Sequence, residues 1–363
     1  MKPKGPRARG LVTEAGEVRV VRAYYYCAAC DAGRYPLDER WALTRSVYSP
    51  ALQHQMVWAA ARGTYAEASE SFARLAQRTI PATSIWAVTQ AVGADWVART
   101  TQAQAAAPLE RVALPPAGQD HAQPKAVSLD GGMVHVRGEG WKEFKTGLVA
   151  DLVVPAEPEP LEARTETVEI DDGPRLVNPT YRAVLGDVAA FSPALWALAV
   201  DAHVPTAATV VVTADGADWI WNLTEDLFPE APQVVDWYHA TDYLARAASA
   251  VFPTDAEAAT RWQQTHRHAL FLGEIHTIIA TLETAGLPTQ ADYFRRHTRR
   301  MQYQTFREDG YPIGSGAVES GIKQFKHRVA GPGMRWSRVG VERMLLLRAA
   351  LLSNTFDARW SPN

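Results

Sequence analysis

AATVVVTADGADWIWNLTEDLF, residues 207–228, opens as a continuous apolar, β-branched run and then changes period. A run of that kind is the pattern of a strand buried on both faces, which places helices on either side of a sheet. It ends at Ala214-Asp215-Gly216, ordinary turn chemistry, and residues 217–228 continue as a helix. Upstream, residues 126–136 (AVSLDGGMVHV) form a strand with Val127 and Leu129 on one face, Ser128 and Asp130 on the other. Residues 141–154 (WKEFKTGLVADLVV) supply a second strand and 165–170 (TETVEI) a third, while 178–203 is expected to be helical with a break near Ser192-Pro193. Downstream, QVVD (233–236) is a short strand, helix follows from Tyr238, and long helices fill 256–300. The class is α/β, with a helical insertion over about residues 240–309.

The last segment of this block is residues 310–336, GYPIGSGAVESGIKQFKHRVAGPGMRW. Ser315 is placed as a helix N-cap, and Gly331-Pro332-Gly333 stops the helix. Val318, Ile322, Phe325 and Val329 recur at helical spacing and make one apolar stripe. Glu319 borders that stripe about 100° around the helix from Val318, with Lys323 and Lys326 along its own face. Taken alone, Glu319 and Lys323 are an ordinary solvated pair four residues apart.

Ahead of this block, residues 17–26 (EVRVVRAYYY) alternate as a strand. Cys27-Ala-Ala-Cys30 follows as a knuckle, giving a small β unit over residues 1–47. The cysteine pair is compatible with half a zinc site, a redox motif or two plain thiols, since no second CxxC exists. Residues 48–107 carry three helical patterns broken at Gly63-Thr64 and Ile80-Pro81. They suit either a helix-turn-helix DNA-binding domain, with 83–98 as the reading helix, or a plain three-helix packing module. Residues 108–124 are proline-broken and expected to be a linker to a catalytic domain over 125–353.

Length and composition match a globular chain of two or three domains. No run of about 18 apolar residues appears, so no membrane span is expected. MKPKGPRARG at the N-terminus lacks the apolar core of a secretion signal, so a cytoplasmic location is expected. The net charge of −3 argues against a simple nucleic-acid-coating protein. Residues 295–348, however, hold twelve Lys or Arg against four acids, a local net of +8 that suggests a phosphate-facing surface.

Three carboxylates stand out. Asp130 is a residue type disfavoured inside a strand. Asp215 ends the most buried strand, where open α/β sheets bind ligands. Glu319 lies on a later helix that packs back on the sheet. Such a trio can hold two divalent cations for in-line displacement at phosphorus. Singly, each has a plain alternative as a turn, cap or surface residue. Asp236 and His239, three apart at a strand-to-helix junction, can share a hydrogen bond, place an imidazole on a phosphate, or simply start a helix.

VSLDGGMV, WKEFKTGLV, TADGADWIWNL, VVDWYHATDYL, IGSGAVESGIKQFKHR and GPGMRWS, in this order, resemble the DDE transposases of the ISKra family of insertion sequences, relatives of the Mutator-like group. The resemblance implies an RNase-H-like catalytic domain with a helical insertion before the glutamate. It implies a catalytic and metal-binding triad of Asp130, Asp215 and Glu319, a C/DxxH motif at Asp236 and His239, and Mg²⁺ or Mn²⁺ as cofactor. Members often carry a further cysteine pair ahead of the strand; without it, a Zn²⁺ site at Cys27 and Cys30 is expected to be incomplete. The expected activity is cutting of the element's ends and joining of the 3′-hydroxyl to target DNA. The partners are then double-stranded DNA, transposon end and target, and a second copy of the chain in a homodimer or larger oligomer, in a nucleoid-associated setting. Lys323, Lys326, Arg328, Arg335 and Arg338 are the expected phosphate contacts, and Trp336 either stacks on an unpaired base or is buried. An RNase-H-like nuclease that does not join, and a non-catalytic DNA-binding descendant of a transposase, are the alternatives.

Overall fold

The computed structural model of the protein describes residues 1–43, 46–106, 123–155 and 173–360. They divide into two compact units, residues 1–101 with 337–363, and residues 102–336. The chain is mixed α/β. Among the described residues no helix is long and apolar enough to cross a membrane.

In the first unit a long antiparallel hairpin, β1 (Lys2–Thr13) and β2 (Gly16–Cys27), is extended by β3 (Ala32–Arg34) and a short helix α1 (Pro36–Arg40). Arg22 anchors the hairpin, its guanidinium on the Tyr35 ring at 4.1 Å and ion-paired with Asp38. Only β2 was expected. Pro3, Gly5 and Pro6 break the pattern of β1, and the register shifts between Pro3 and Pro6. An edge strand tolerates such residues because one row of its N–H groups has no ladder partner to lose.

The three helical patterns that follow are helices: α2 (Pro50–Arg62), α3 (Tyr65–Leu75) and α4 (Ala82–Ala106). Ser49 caps α2, and Thr64 with Glu67 forms a capping box on α3. The linker expected at 108–124 lies almost entirely outside the described residues.

The second unit carries a five-stranded sheet. Its strands are β4 (Lys125–Val136), β5 (Gly140–Val153), β6 (Arg175–Leu185), β7 (Val210–Ala214) and β8 (Gln233–Val235), in the order β6-β5-β4-β7-β8. β4, β5 and β6 pair antiparallel; β7 joins β4, and β8 joins β7, in parallel. The third strand expected at 165–170 lies outside the described residues, and the position next to β5 belongs to β6. Residues 175–185 were expected to be helical in part. Asn178-Pro179 disguises this strand: Asn178 adopts φ 52° where the pairing with β5 shifts between Val149 and Asp151. β6 is an edge strand, so Pro179 is accommodated. The following helix α5 (Val188–Asp201) runs through Pro193 without the expected break.

Helix α5 covers one face of the sheet. Gly147 permits its close approach, since a Cβ there would meet Leu195 at 2.7 Å and Phe191 at 3.2 Å. The same face carries Val127 and Leu129, both fully buried. After β7 come α6 (Asp218–Leu227) and, beyond β8, α7 (Trp237–Val251). The insertion follows as α8 (Ala256–Phe271), α9 (Ile275–Thr284), α10 (Pro288–His297) and α11 (Tyr303–Glu308). α12 (Gly316–Val329) then closes the opposite face. Its stripe is buried as the spacing predicts, with Val318, Ile322, Phe325 and Val329 at most 3% exposed. Val318 packs on Leu148 and Ala150, and Phe325 on Phe144 and Tyr181.

The second unit runs to Trp336, whereas the expected domain was bounded at 353. α13 (Arg338–Leu352) packs on α2, and α14 (Phe356–Trp360) packs on α13, all within the first unit. The reason is apolar: Val341, Met344, Leu345 and Leu347 on α13 are buried, as are Leu52, Met56 and Val57 on α2.

Candidate active site

β4 outlasts β7. The parallel pairing runs from Lys125↔Val210 to Leu129↔Ala214 and stops, so Asp130 and Asp215 stand side by side one residue past the last pair. Asp130 pairs across β5 with Thr146, between Ser128↔Leu148 and Gly132↔Phe144. Residues directly opposite across a ladder share a face, so Asp130 faces α12, the helix that carries Glu319. At Asp215 the chain turns through Gly216 at φ 102°, and Asp215 Oδ1 accepts from Ala217 N at 3.0 Å. That bond closes the turn that leads into α6. Glu319 is in the first turn of α12, and its Oε2 lies 3.7 Å from Lys323 Nζ.

Asp130 feels the charges of the other two carboxylates. Asp130 is pushed up from 3.8 to about 6, first by burial and then by the charges of Asp215 and Glu319. A hydrogen bond from Gly131 N at 2.6 Å and the nearby Lys326 charge oppose that rise. Burial is the main cause, and the neighbouring carboxylates add to it. The donors are all carboxylate oxygens, the type a hard divalent cation takes. Among the described residues, however, no three His, Cys, Asp or Glu side chains stand together at metal-holding spacing. Glu319 is ion-paired with Lys323 at 3.7 Å.

Two residues beside Asp215 were not anticipated. Tyr293 and His297, one turn apart on α10, flank the Gly216 turn; a Cβ on Gly216 would come within 3.4 Å of both. Tyr293 stacks on Tyr243 at 3.7 Å, and its hydroxyl is raised by burial and by the charges of Tyr243, Asp215 and Asp236. His297 is lowered from 6.5 to about 4, chiefly by burial and also by Arg300. Their spacing of four was the available signal, hidden beside an arginine-rich run.

The Asp236–His239 pair resolves as a helix start. Asp236 is fully buried, and its Oδ1 accepts from the backbone N of His239 at 2.7 Å. The imidazole of His239 stands instead against the rings of Tyr243 and Tyr293.

The basic run does not form one patch. Arg295 and Arg296 pair with Glu283 and Asp292, and Arg300 approaches Glu225. Arg328 is 2% exposed with its guanidinium over the Trp336 ring at 4.9 Å. Trp336 is buried, donates from Nε1 to Val329 O at 2.8 Å, and bridges to Val136 through the backbone. This burial overturns Arg328 as a surface phosphate contact and Trp336 as a stacking platform. Arg338 lies in the first unit, 3.8 Å from Glu342. Lys323, Lys326 and Arg335 are exposed.

At the other end of the chain Cys27 and Cys30 are free thiols, Cys27 lowered by a hydrogen bond from Cys30. Among the described residues no third ligand joins them in a metal-holding group. No protein-family model matches the chain, and no curated protein matches it in sequence.

Proposed function

We propose that this protein is a divalent-metal-dependent DNA transposase of the DDE type, similar to the ISKra group. It cuts the ends of an element and joins the freed 3′-hydroxyl to target DNA. The observation that carries the reading is the pairing of the two central strands β4 and β7. Two aspartates emerge side by side where β4 outlasts β7, on a sheet of three antiparallel strands extended by two parallel ones. A helix bearing Glu319 covers the face that Asp130 presents. An RNase-H-like catalytic domain requires this arrangement.

Asp130, Asp215 and Glu319 are the residues that would hold the metal. When bound, Mg²⁺ or Mn²⁺ supplies Lewis-acid activation at phosphorus and charge neutralisation of the leaving oxygen. The protein's own part is to present the three carboxylates together, Asp130 and Asp215 from neighbouring strands and Glu319 from α12. The burial of Asp130 works in the same direction, because an ionised carboxylate short of water is stabilised by an incoming cation. Lys323, Lys326 and Arg335 flank the site on α12 and just beyond, and would meet DNA phosphates as exposed, hydrated cations.

The test is cleavage and joining of labelled DNA carrying the gene's flanking sequence, with Mg²⁺ or Mn²⁺ and with EDTA. Metal-dependent nicks at the element boundary, lost in Asp130→Asn, together with strand-transfer products, are expected. Nicks without joining would give the nuclease reading. Salt-sensitive binding without any cutting would refute both.

A further inference from the structure

Helix α12 lacks the cap its sequence advertises. Ser315 occupies the N-cap position, yet its side chain makes no cap hydrogen bond, and the residue is 3% exposed. What holds the start of α12 lies 79 residues earlier in the chain. Ser315 N donates to Asp236 Oδ2, while Asp236 Oδ1 accepts from His239 N at 2.7 Å. One carboxylate therefore satisfies the first turn of α7 and the entrance of α12 together. The backbone N of Asp236 donates to Ala214 O at 2.7 Å, next to Asp215. Ser315 O accepts from Val318 N at 2.9 Å and from Glu319 N at 3.2 Å. A continuous chain of contacts thus runs from the end of β7, through Asp236 and Ser315, to the backbone of Glu319.

Neighbouring bonds run the same way. Trp237 N donates to Ile313 O at 2.8 Å, and Thr213 Oγ1 to Pro312 O at 3.3 Å. Gly314 lies beside the carboxylate, 3.9 Å from Asp236 Oδ2 to the position of a Cβ, at ordinary contact distance. Residues 312–315 are laced onto the carboxyl ends of β7 and β8.

We infer that Asp236 is a positioning residue: a buried two-armed latch that fixes the start of α12, and so Glu319, against the carboxyl ends of β7 and β8, next to Asp215. Glu319's catalytic purpose rests on the proposed function; the latch does not. The chemistry is specific to a carboxylate. A charged acceptor with two oxygens takes two N–H donors from two segments. Asparagine offers one oxygen and turns its NH₂ against the other donor. Serine is a good cap for α7 but has no second arm to reach Ser315.

The experiment is residue-resolved amide exchange on the full chain, combined with cleavage kinetics. In the wild type the Ser315 amide, although it precedes the helix, exchanges as slowly as those of the α12 interior. Exchange at the rate of an open loop would overturn the latch without any variant being made. In Asp236→Asn and Asp236→Ser, exchange at Ser315, Val318 and Glu319 rises about 10- to 100-fold, the loss of a charge-assisted bond. The first turn of α7 keeps its protection. Unchanged exchange at those amides overturns the proposal. In the same variants the cleavage rate falls while the Kd for DNA stays at the wild-type value. Faster exchange with an unaltered rate would overturn the positioning role. If the wild type itself does not cut DNA, the reading of the site fails, and the exchange data still report the latch by themselves.

Discussion

Asp130 and His297 both feel the charge of Asp215, and they are set to oppose each other in the pH dependence of stability. In the folded chain Asp130 holds its proton up to about pH 6, against 3.8 for the ordinary carboxyl. Between those values the folded state binds more protons than the unfolded one, so stability falls as pH rises. His297 does the reverse. The unfolded imidazole is protonated below 6.5, while the buried one resists protonation until about 4, so stability rises with pH across that window. Near pH 5 each group contributes close to one proton, with opposite sign. At about 1.4 kcal/mol per proton and pH unit, the two slopes are about −1 and +1 kcal/mol per pH unit and cancel.

Asp130→Asn removes one side of this balance. Stability of the variant should then climb by about 1 kcal/mol per pH unit between about pH 4.5 and 6, where the wild type stays nearly flat. The full shift at Asp130 corresponds to about 3 kcal/mol. Partial solvent screening of a half-buried group reduces this to about 1–2 kcal/mol, so the variant should be more stable than the wild type by that amount near pH 7.5. His297→Gln should show the mirror slope, falling with pH. Denaturant midpoints in EDTA across this range measure all three profiles. An Asp130→Asn profile parallel to the wild type, or a variant less stable at neutral pH, would refute the picture of an unneutralised, burial-strained carboxylate.

Glu319→Gln should abolish cleavage while salt-sensitive DNA binding persists; loss of the folded state instead, seen by circular dichroism, would make the glutamate structural. Lys326→Ala should lower the slope of log K against log salt by about one in DNA-binding titrations. Because Lys326 holds Asp130 down, the acid limb of the cleavage pH profile should also move to higher pH in this variant. Gly321→Val should cost about 1–3 kcal/mol by denaturant unfolding, since a Cβ there would lie 2.5 Å from Tyr181 Cε1 and α12 would have to lift.

Local periodicity made much of this legible. The Val210–Ala214 strand, the α12 stripe and the placement of Asp130 opposite Val127 and Leu129 all follow from spacing within a few residues. Long-range contacts were hidden. Arg328 looks like a solvent-facing cation in a basic helix, and only the return of Trp336 alongside β4, with its ring beneath the guanidinium, turns it inward. Asn178-Pro179 reads as a break because nothing local says that β6 is an edge strand. Asp236 was visible as a helix start, and Ser315 as a helix cap. That the first supplies what the second does not could be learned only from the fold. The same holds for the site as a whole. Asp130 and Asp215 can be picked out singly, but their adjacency depends on β7 ending one residue before β4 reaches its aspartate. A one-residue slip of that register would turn Asp130 to the α5 face, away from Glu319. The burial of Val127 and Leu129 against α5 therefore fixes which way the first carboxylate points.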